Sequence, residues 1–231
     1  MITAVKPSAR IVDTVYAALR NAIFSRTVVP GESLSVPELA RRLDVSRSPV
    51  REAVLQLVAD GLAVETPRKG VVVATLDQQD LLDIHEIRQN LETLTATLAA
   101  SRINAAALKQ LRKILERQHT AIDTGDAALY EHTNAEFHSA IAAACGNPRL
   151  AQFVESLQDQ MRLALLRTVA THPQHIAQGY AEHVAILDAL ETHAPMAAAE
   201  AMRIHISNTR GDVADHLARL PLHSPLAAKA H

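Results

Sequence analysis

Three histidines, His138, His183 and His205, each sit among apolar residues in segments with helical periodicity, and they are the first sign of chemistry in the chain. Asn134 stands four residues before His138. At about 100° per residue the two share a helix face, about 40° apart, whereas Glu136 points nearly the opposite way. His183 lies on the apolar side of its segment beside Val184, Ile186 and Leu187, and His205 is flanked by Ile204 and Ile206. Imidazoles on the inner faces of three helices can converge on one divalent cation inside a bundle. Taken singly, each also suits a plainer use as a hydrogen-bonded core side chain. The remaining histidines, His85, His119, His132, His172, His175, His193, His216, His223 and His231, fall at helix ends, on polar faces or in the tail and read as solvated.

A second group of residues is suited to a polyanion. Arg47, Ser48 and Arg51 lie near the start of a helix whose inward stripe is Val50, Val54, Leu57 and Val58. Arginine's fork can bond O6 and N7 of guanine together in the major groove of double-stranded DNA. The hydroxyls of Ser46 and Ser48, with the first-turn amides, suit phosphate oxygens. Further on, Arg68 and Lys69 sit where they would touch backbone phosphate, and Gly70 would let the chain approach a groove with no side chain in the way.

The elements that must position these groups are legible on both sides. Ile11, Val15, Leu19, Ala22 and Ile23 give one apolar face to a helix over about residues 10–26, which ends at Pro30-Gly31. Ser35-Val36-Pro37-Glu38 has the spacing of a capping box for a short helix burying Leu39, Ala40 and Leu43. A turn at Asp44-Val45 leads to the helix capped by Ser46, which runs to about Asp60 and stops at Gly61. Leu62–Thr66 and Val71–Ala74 read as two strands of a hairpin around Pro67-Arg68-Lys69-Gly70. This order predicts a winged helix-turn-helix over 1–76. From Asp77 the pattern is helical only, with breaks at Asn104, Gly125-Asp126, Gly146-Asn147-Pro148, His172-Pro173 and Ala194-Pro195. Six helices are expected, roughly 77–102, 105–123, 127–145, 149–171, 174–192 and 196–218, and a flexible tail over 219–231. The fold class is mainly α, a winged helix followed by an all-α antiparallel bundle.

Composition agrees with two parts that have different partners. Residues 1–76 carry 10 Lys and Arg against 7 Asp and Glu, while residues 77–231 carry 13 against 18 together with all 12 histidines. Apolar residues make up 48% of the chain, yet no run approaches the ~18 residues needed to span a bilayer. The N-terminal stretch lacks the apolar core of a secretory signal, and one cysteine, Cys145, excludes an intrachain disulfide. A cytoplasmic location and no membrane partner are expected.

The segment Leu39-Ala40-Arg41-Arg42-Leu43-Asp44-Val45-Ser46-Arg47-Ser48-Pro49-Val50-Arg51-Glu52-Ala53, followed by Asp60-Gly61-Leu62, closely resembles the signature of the GntR family of bacterial regulators over residues 10–75. The resemblance implies DNA contacts from Arg47, Arg51 and the wing Gly70, with Ser46 and Ser48 alongside. Glu38 and Pro37 stand where some relatives carry a further basic contact. The second part resembles the FCD ligand-binding domain of the FadR-like branch in its six-helix, VanR-like form. The matching pieces are Ile87-Arg88-x3-Glu92, Asn134-x2-Phe137-His138, Glu182-His183-x2-Ile186-Leu187 and Ala201-Met202-x2-His205-Ile206. In metal-binding members this implies a divalent transition metal (zinc, nickel or similar) held by Asn134, His138, His183 and His205. Asn134 departs from the usual aspartate, so the ligand set is neutral and the ion would keep its full charge, favouring an anionic effector. Arg88 and Arg162 are inward candidates to pair with an effector carboxylate, Arg88 having Glu92 as an alternative partner, and Asn208 is a further pocket candidate.

Three functions compete at this point. The first is a homodimeric regulator, its operator composed of palindromic half-sites, whose DNA affinity is set by a small carboxylate metabolite bound beside a metal. The second is the same regulator with a metal-free effector pocket. The third is a metal-dependent enzyme, against which stands the lack of an accompanying general base and the presence of a DNA-binding head.

Overall fold

The computed structural model describes residues 9–67, 69–165 and 173–219, with side chains over 11–67, 69–164 and 176–209. Three helices come first: α1 (Ala9–Phe24), α2 (Val36–Leu43) and α3 (Arg47–Ala59). A hairpin of β1 (Ala63–Thr66) and β2 (Gly70–Val73) follows, and then six helices: α4 (Gln78–Arg102), α5 (Ala105–Thr124), α6 (Ala127–Ala144), α7 (Pro148–Leu165), α8 (Pro173–Glu191) and α9 (Pro195–Arg219). The chain divides into two compact units. One is Met1–Leu76 with Asp159–Thr168, and the other is Asp77–Gln158 with Val169–His231.

In the first unit α3 buries Val50, Ala53, Val54 and Leu57 against Val15, Leu19 and Ile23 of α1 and Leu39 and Ala40 of α2. Asp44 takes the left-handed conformation (φ 52°) that closes α2, and its amide donates to Ala40 O. The strands pair antiparallel from Ala63 opposite Val73 to Thr66 opposite Gly70. Residues 31–34 add a short third edge, with Gly31 N donating to Val73 O and Leu34 N to Val71 O. Gly70 has φ +67° at the wing tip, a conformation that itself asks for glycine, and open space surrounds its Cβ position. Leu163 is 1% exposed within this core, and Asp159 takes Arg20 Nε and Nη2 on its two oxygens at 2.5 Å each. The end of α7 therefore packs with the head, although its periodicity matched the bundle. A periodic stripe shows which face is buried, not against what.

Two capping expectations need correction. Ser35 and Ser46 do stand at the N-cap positions of α2 and α3, but neither side chain makes a capping bond. The full reciprocal capping box forms at α4, between Asp77 and Asp80.

The second unit is built from α4, α5, α6, α8 and α9 with the first part of α7. Its core runs through Ala96, Ala99, Leu111, Phe137, Ile141, Val154, Ile186, Leu190, Met202 and Ile206. Small residues on α4, including Ala96, Ala99 and Ala100, leave room for a neighbouring helix to approach closely. Asn104 and Asp126 cap α5 and α6 through side-chain bonds to Ala107 N and Leu129 N. Among the described residues, no helix is long and apolar enough to cross a membrane.

Candidate functional site

Inside the second unit α6, α8 and α9 each bring one imidazole to a common point. His138, His183 and His205 are 3%, 0% and 5% exposed, and each offers a ring nitrogen within 4.8 Å of the other two. His205 Nε2 lies 3.3 Å from His183 Nε2 and 3.2 Å from His138 Nε2.

The outward-facing nitrogens fix what those contacts are. His205 Nδ1 is 2.8 Å from Glu182 Oε2, His183 Nδ1 is 2.8 Å from Gln118 Oε1, and His138 Nδ1 is 2.5 Å from Glu92 Oε2. Carboxylate and amide oxygens only accept, so each Nδ1 carries the proton in the neutral ring. The three Nε2 atoms then present lone pairs to one another with no hydrogen between them. For His183 and His205 the environment also disfavours an extra proton. Burial, then the neighbouring imidazoles, hold His183 well below the ordinary histidine range. Burial likewise lowers His205, against the opposing pull of Glu182.

Lone pairs at this spacing fit a cation. Nitrogen ligands about 2.0–2.1 Å from zinc at octahedral to tetrahedral angles stand about 2.9–3.4 Å apart, the range of the contacts seen here. Asn134 is partly buried one turn before His138 on α6. Phe137 stacks on His183 with ring centroids 4.4 Å apart, which holds that imidazole from its other side.

Charge enters the site from behind the rings. Glu92 is 1% exposed and takes Arg88 Nε on Oε1 at 2.7 Å while facing His138 with Oε2. Burial pushes its carboxyl up, but Arg88 and His138 outweigh that and hold it far below the usual carboxylate range. Glu182 takes His205 on one oxygen and Asn208 Nδ2 on the other, at 2.6 Å. Burial raises Glu182 too, and these bonds bring it below its ordinary value. The four expected ligands are themselves neutral, and the structure adds two carboxylates one imidazole further out.

Several other expectations meet the structure differently. Arg162 belongs to the first unit, where its guanidinium lies 4.3 Å above the Phe24 ring centroid, whereas the three histidines belong to the second. Asn208 does approach the site, but its amide nitrogen is committed to Glu182. His85 is not solvated. It is wholly buried and its Nδ1 donates to Leu81 O at 3.0 Å. Gln118 was missed because a lone glutamine in a helix carries no signal of its own. Glu92 was seen only as a partner of Arg88, through their four-residue spacing.

In the first unit Ser46, Arg47, Ser48 and Arg51 are all exposed around the N-terminus of α3, opposite its buried stripe. Ser48 Oγ donates to Glu52 Oε1 at 3.1 Å, so its hydroxyl would turn from Glu52 to donate to a phosphate oxygen, which only accepts. Lys69 and Gly70 are exposed at the wing tip, while Arg68 lies outside the described residues.

A head of this architecture is that of a winged-helix transcription regulator. Residues 11–73 match the family described as bacterial regulatory proteins, gntR family, and residues 83–208 match the FCD domain. The HTH-type transcriptional repressor GlaR of Escherichia coli is 31% identical over 202 residues, spanning 83% of this chain and 90% of that protein. The repressor RspR of the same organism is 28% identical over 207 residues, spanning 88% and 89%. Among solved structures, E. coli McbR/YncC superposes with a TM-score of 0.76 at 24% identity, covering 93% of this chain and 99% of that one. The chain belongs to the GntR family of bacterial transcription regulators and carries an FCD domain as its second part.

Proposed function

We propose that this regulator binds a palindromic operator as a homodimer and that a small carboxylate, bound beside a divalent metal in the second unit, controls its affinity. The observation that carries the metal is the convergence of the three Nε2 lone pairs, each ring turned by an acceptor on its Nδ1. His138, His183 and His205 would hold the ion, with Asn134 as a neutral fourth ligand. The bound ion would supply a positive point to which an effector carboxylate coordinates.

The chain's own residues do the rest. Arg88 is 6% exposed and its Nε edge is taken by Glu92, so the Nη end of the guanidinium is what an effector carboxylate would meet. Asn208 spends one amide hydrogen on Glu182, and its second N–H would donate to an effector carboxylate. An effector that prefers one arrangement of these helices shifts the population toward it. On the DNA side, Arg47 and Arg51 read base edges, Ser46 and Ser48 meet phosphate, and Arg68, Lys69 and Gly70 place the wing.

The dimer follows from the DNA: one winged helix covers a half-site only. Ile87 and Leu94, seven residues apart on α4, are 49% and 46% exposed, and Phe153 on α7 is 64% exposed, apolar side chains of the kind a second copy could cover. The relatives are named as regulators, which supports a non-enzymatic role in the cytoplasm alongside the DNA.

The test is metal content by mass spectrometry on untagged protein, wild type beside His138→Ala. About one divalent ion per chain, absent from the variant, supports the centre. A wild type that stays metal-free after reloading leaves Arg88 and the histidines as a metal-free pocket.

A further inference from the structure

Imidazole nitrogens that hold a cation bring no negative charge to it, and the amide of Asn134 adds none. Negative charge stands one imidazole further out, and it is unevenly compensated. Behind His138, Glu92 shares its carboxylate with the cationic Arg88. Behind His183, among the described residues, stands the neutral amide of Gln118. Behind His205, Glu182 bonds His205 Nδ1 at 2.8 Å, Asn208 Nδ2 at 2.6 Å and Gln178 Nε2 at 2.9 Å, and the two amides bring no formal charge. Its side chain is 14% exposed, so much of its field stays unscreened by water. A carboxylate that accepts Nδ1–H fixes the ring's orientation and makes the opposite nitrogen a stronger donor to a cation.

We propose that Glu182, acting through His205, is the positioning residue that sets cation affinity at the three-histidine centre, supplying from outside the charge that a carboxylate at position 134 would supply directly. The inference rests on the metal reading above. Glu182 does not touch the ion. It aims the His205 lone pair and raises its basicity.

The test uses the full chain stripped with chelator and titrated with zinc alone, its dissociation constant read by competition with a chromophoric chelator. Glu182→Gln keeps the shape and removes the charge. It is expected to weaken zinc binding about 10–100-fold while the melting temperature of the metal-free protein changes little. Adding Asn134→Asp to that variant returns a carboxylate to the centre and should recover most of the loss, which a purely structural role would not allow. Glu182→Asp, which keeps the charge but draws it back, should lose less than Glu182→Gln. Affinity of Glu182→Gln within about twofold of wild type, or a double variant no tighter than the single one, would overturn the assignment. A wild-type chain that takes up no zinc and behaves like His138→Ala would overturn the metal reading itself, and the role of Glu182 with it.

Discussion

His183 Nε2 and His205 Nε2 stand 3.3 Å apart although both rings already donate their Nδ1 protons elsewhere, to Gln118 and Glu182. Two lone pairs held that close repel each other, so the metal-free protein stores an unfavourable contact that a bound cation would convert into two ligand bonds. Zinc should therefore raise the melting temperature of the stripped wild type. At a free concentration of about 100 times the dissociation constant, linkage gives about 2.7 kcal/mol. His205→Ala should melt at the same temperature with and without zinc. A wild-type melting curve that does not move with zinc would count against the centre.

The same burial gives the metal-free protein a predictable response to acid. His183 and His205 sit below the ordinary histidine value of 6.5, with burial the largest cause in each. In the unfolded chain these rings take up protons near pH 6.5, and in the folded chain only at lower pH. The unfolded state therefore binds more protons as pH falls, so stability drops from about pH 7 downward through 6.5. Thermal melts between pH 7.5 and 5.5 check this, and His183→Asn should flatten part of the slope. A profile flat over that interval would contradict neutral, buried imidazoles.

Much of this was visible in the sequence, for identifiable reasons. The stripe of Val50, Val54 and Leu57 fixed the inward face of α3 and so left Arg47 and Arg51 outside. His183 and His205 stood inside apolar runs, which marked them as buried before any partner was known. What stayed hidden depended on partners remote in the chain. Arg162 could be judged inward-facing, but only the fold shows Phe24 beneath it. His85 was grouped with the solvated histidines, yet it shares a buried face with Leu81, Ile84 and Arg88. Serine at an N-cap position promised a side-chain bond at Ser35 and Ser46 that the fold does not make.

Arg88 and Glu92 form an ion pair with side chains 7% and 2% exposed, which makes the two residues unequal to remove. Arg88→Met leaves Glu92 facing His138 alone in a buried site, and breaking one side of such a pair costs about 3–5 kcal/mol. The double variant Arg88→Met with Glu92→Met removes the stranded charge and should be less destabilised than Arg88→Met alone. Urea denaturation of the single and double variants measures the difference. Equal or additive losses would mean that the pair is not coupled as its geometry requires.

The exposed residues of α3 and the wing should separate into two kinds by their salt dependence. Arg47 and Arg51 stand on the solvent face at the start of α3, where a guanidinium can reach base edges. Arg47→Ala or Arg51→Ala should each cost about 1–3 kcal/mol at the cognate operator and relax preference at the contacted base. Lys69 is exposed at the wing beside Gly70 and has phosphate as its natural partner. Lys69→Ala should weaken cognate and random DNA alike and lower the slope of log affinity against log salt by about 1. His138→Ala, remote from this face in sequence and in a different unit, should leave effector-free operator affinity within error of wild type. Titration of fluorescent operator and scrambled duplexes at several salt concentrations resolves all of these outcomes. A Lys69 variant that lost only sequence preference, or arginine variants that lost only salt dependence, would reverse the roles given to helix and wing.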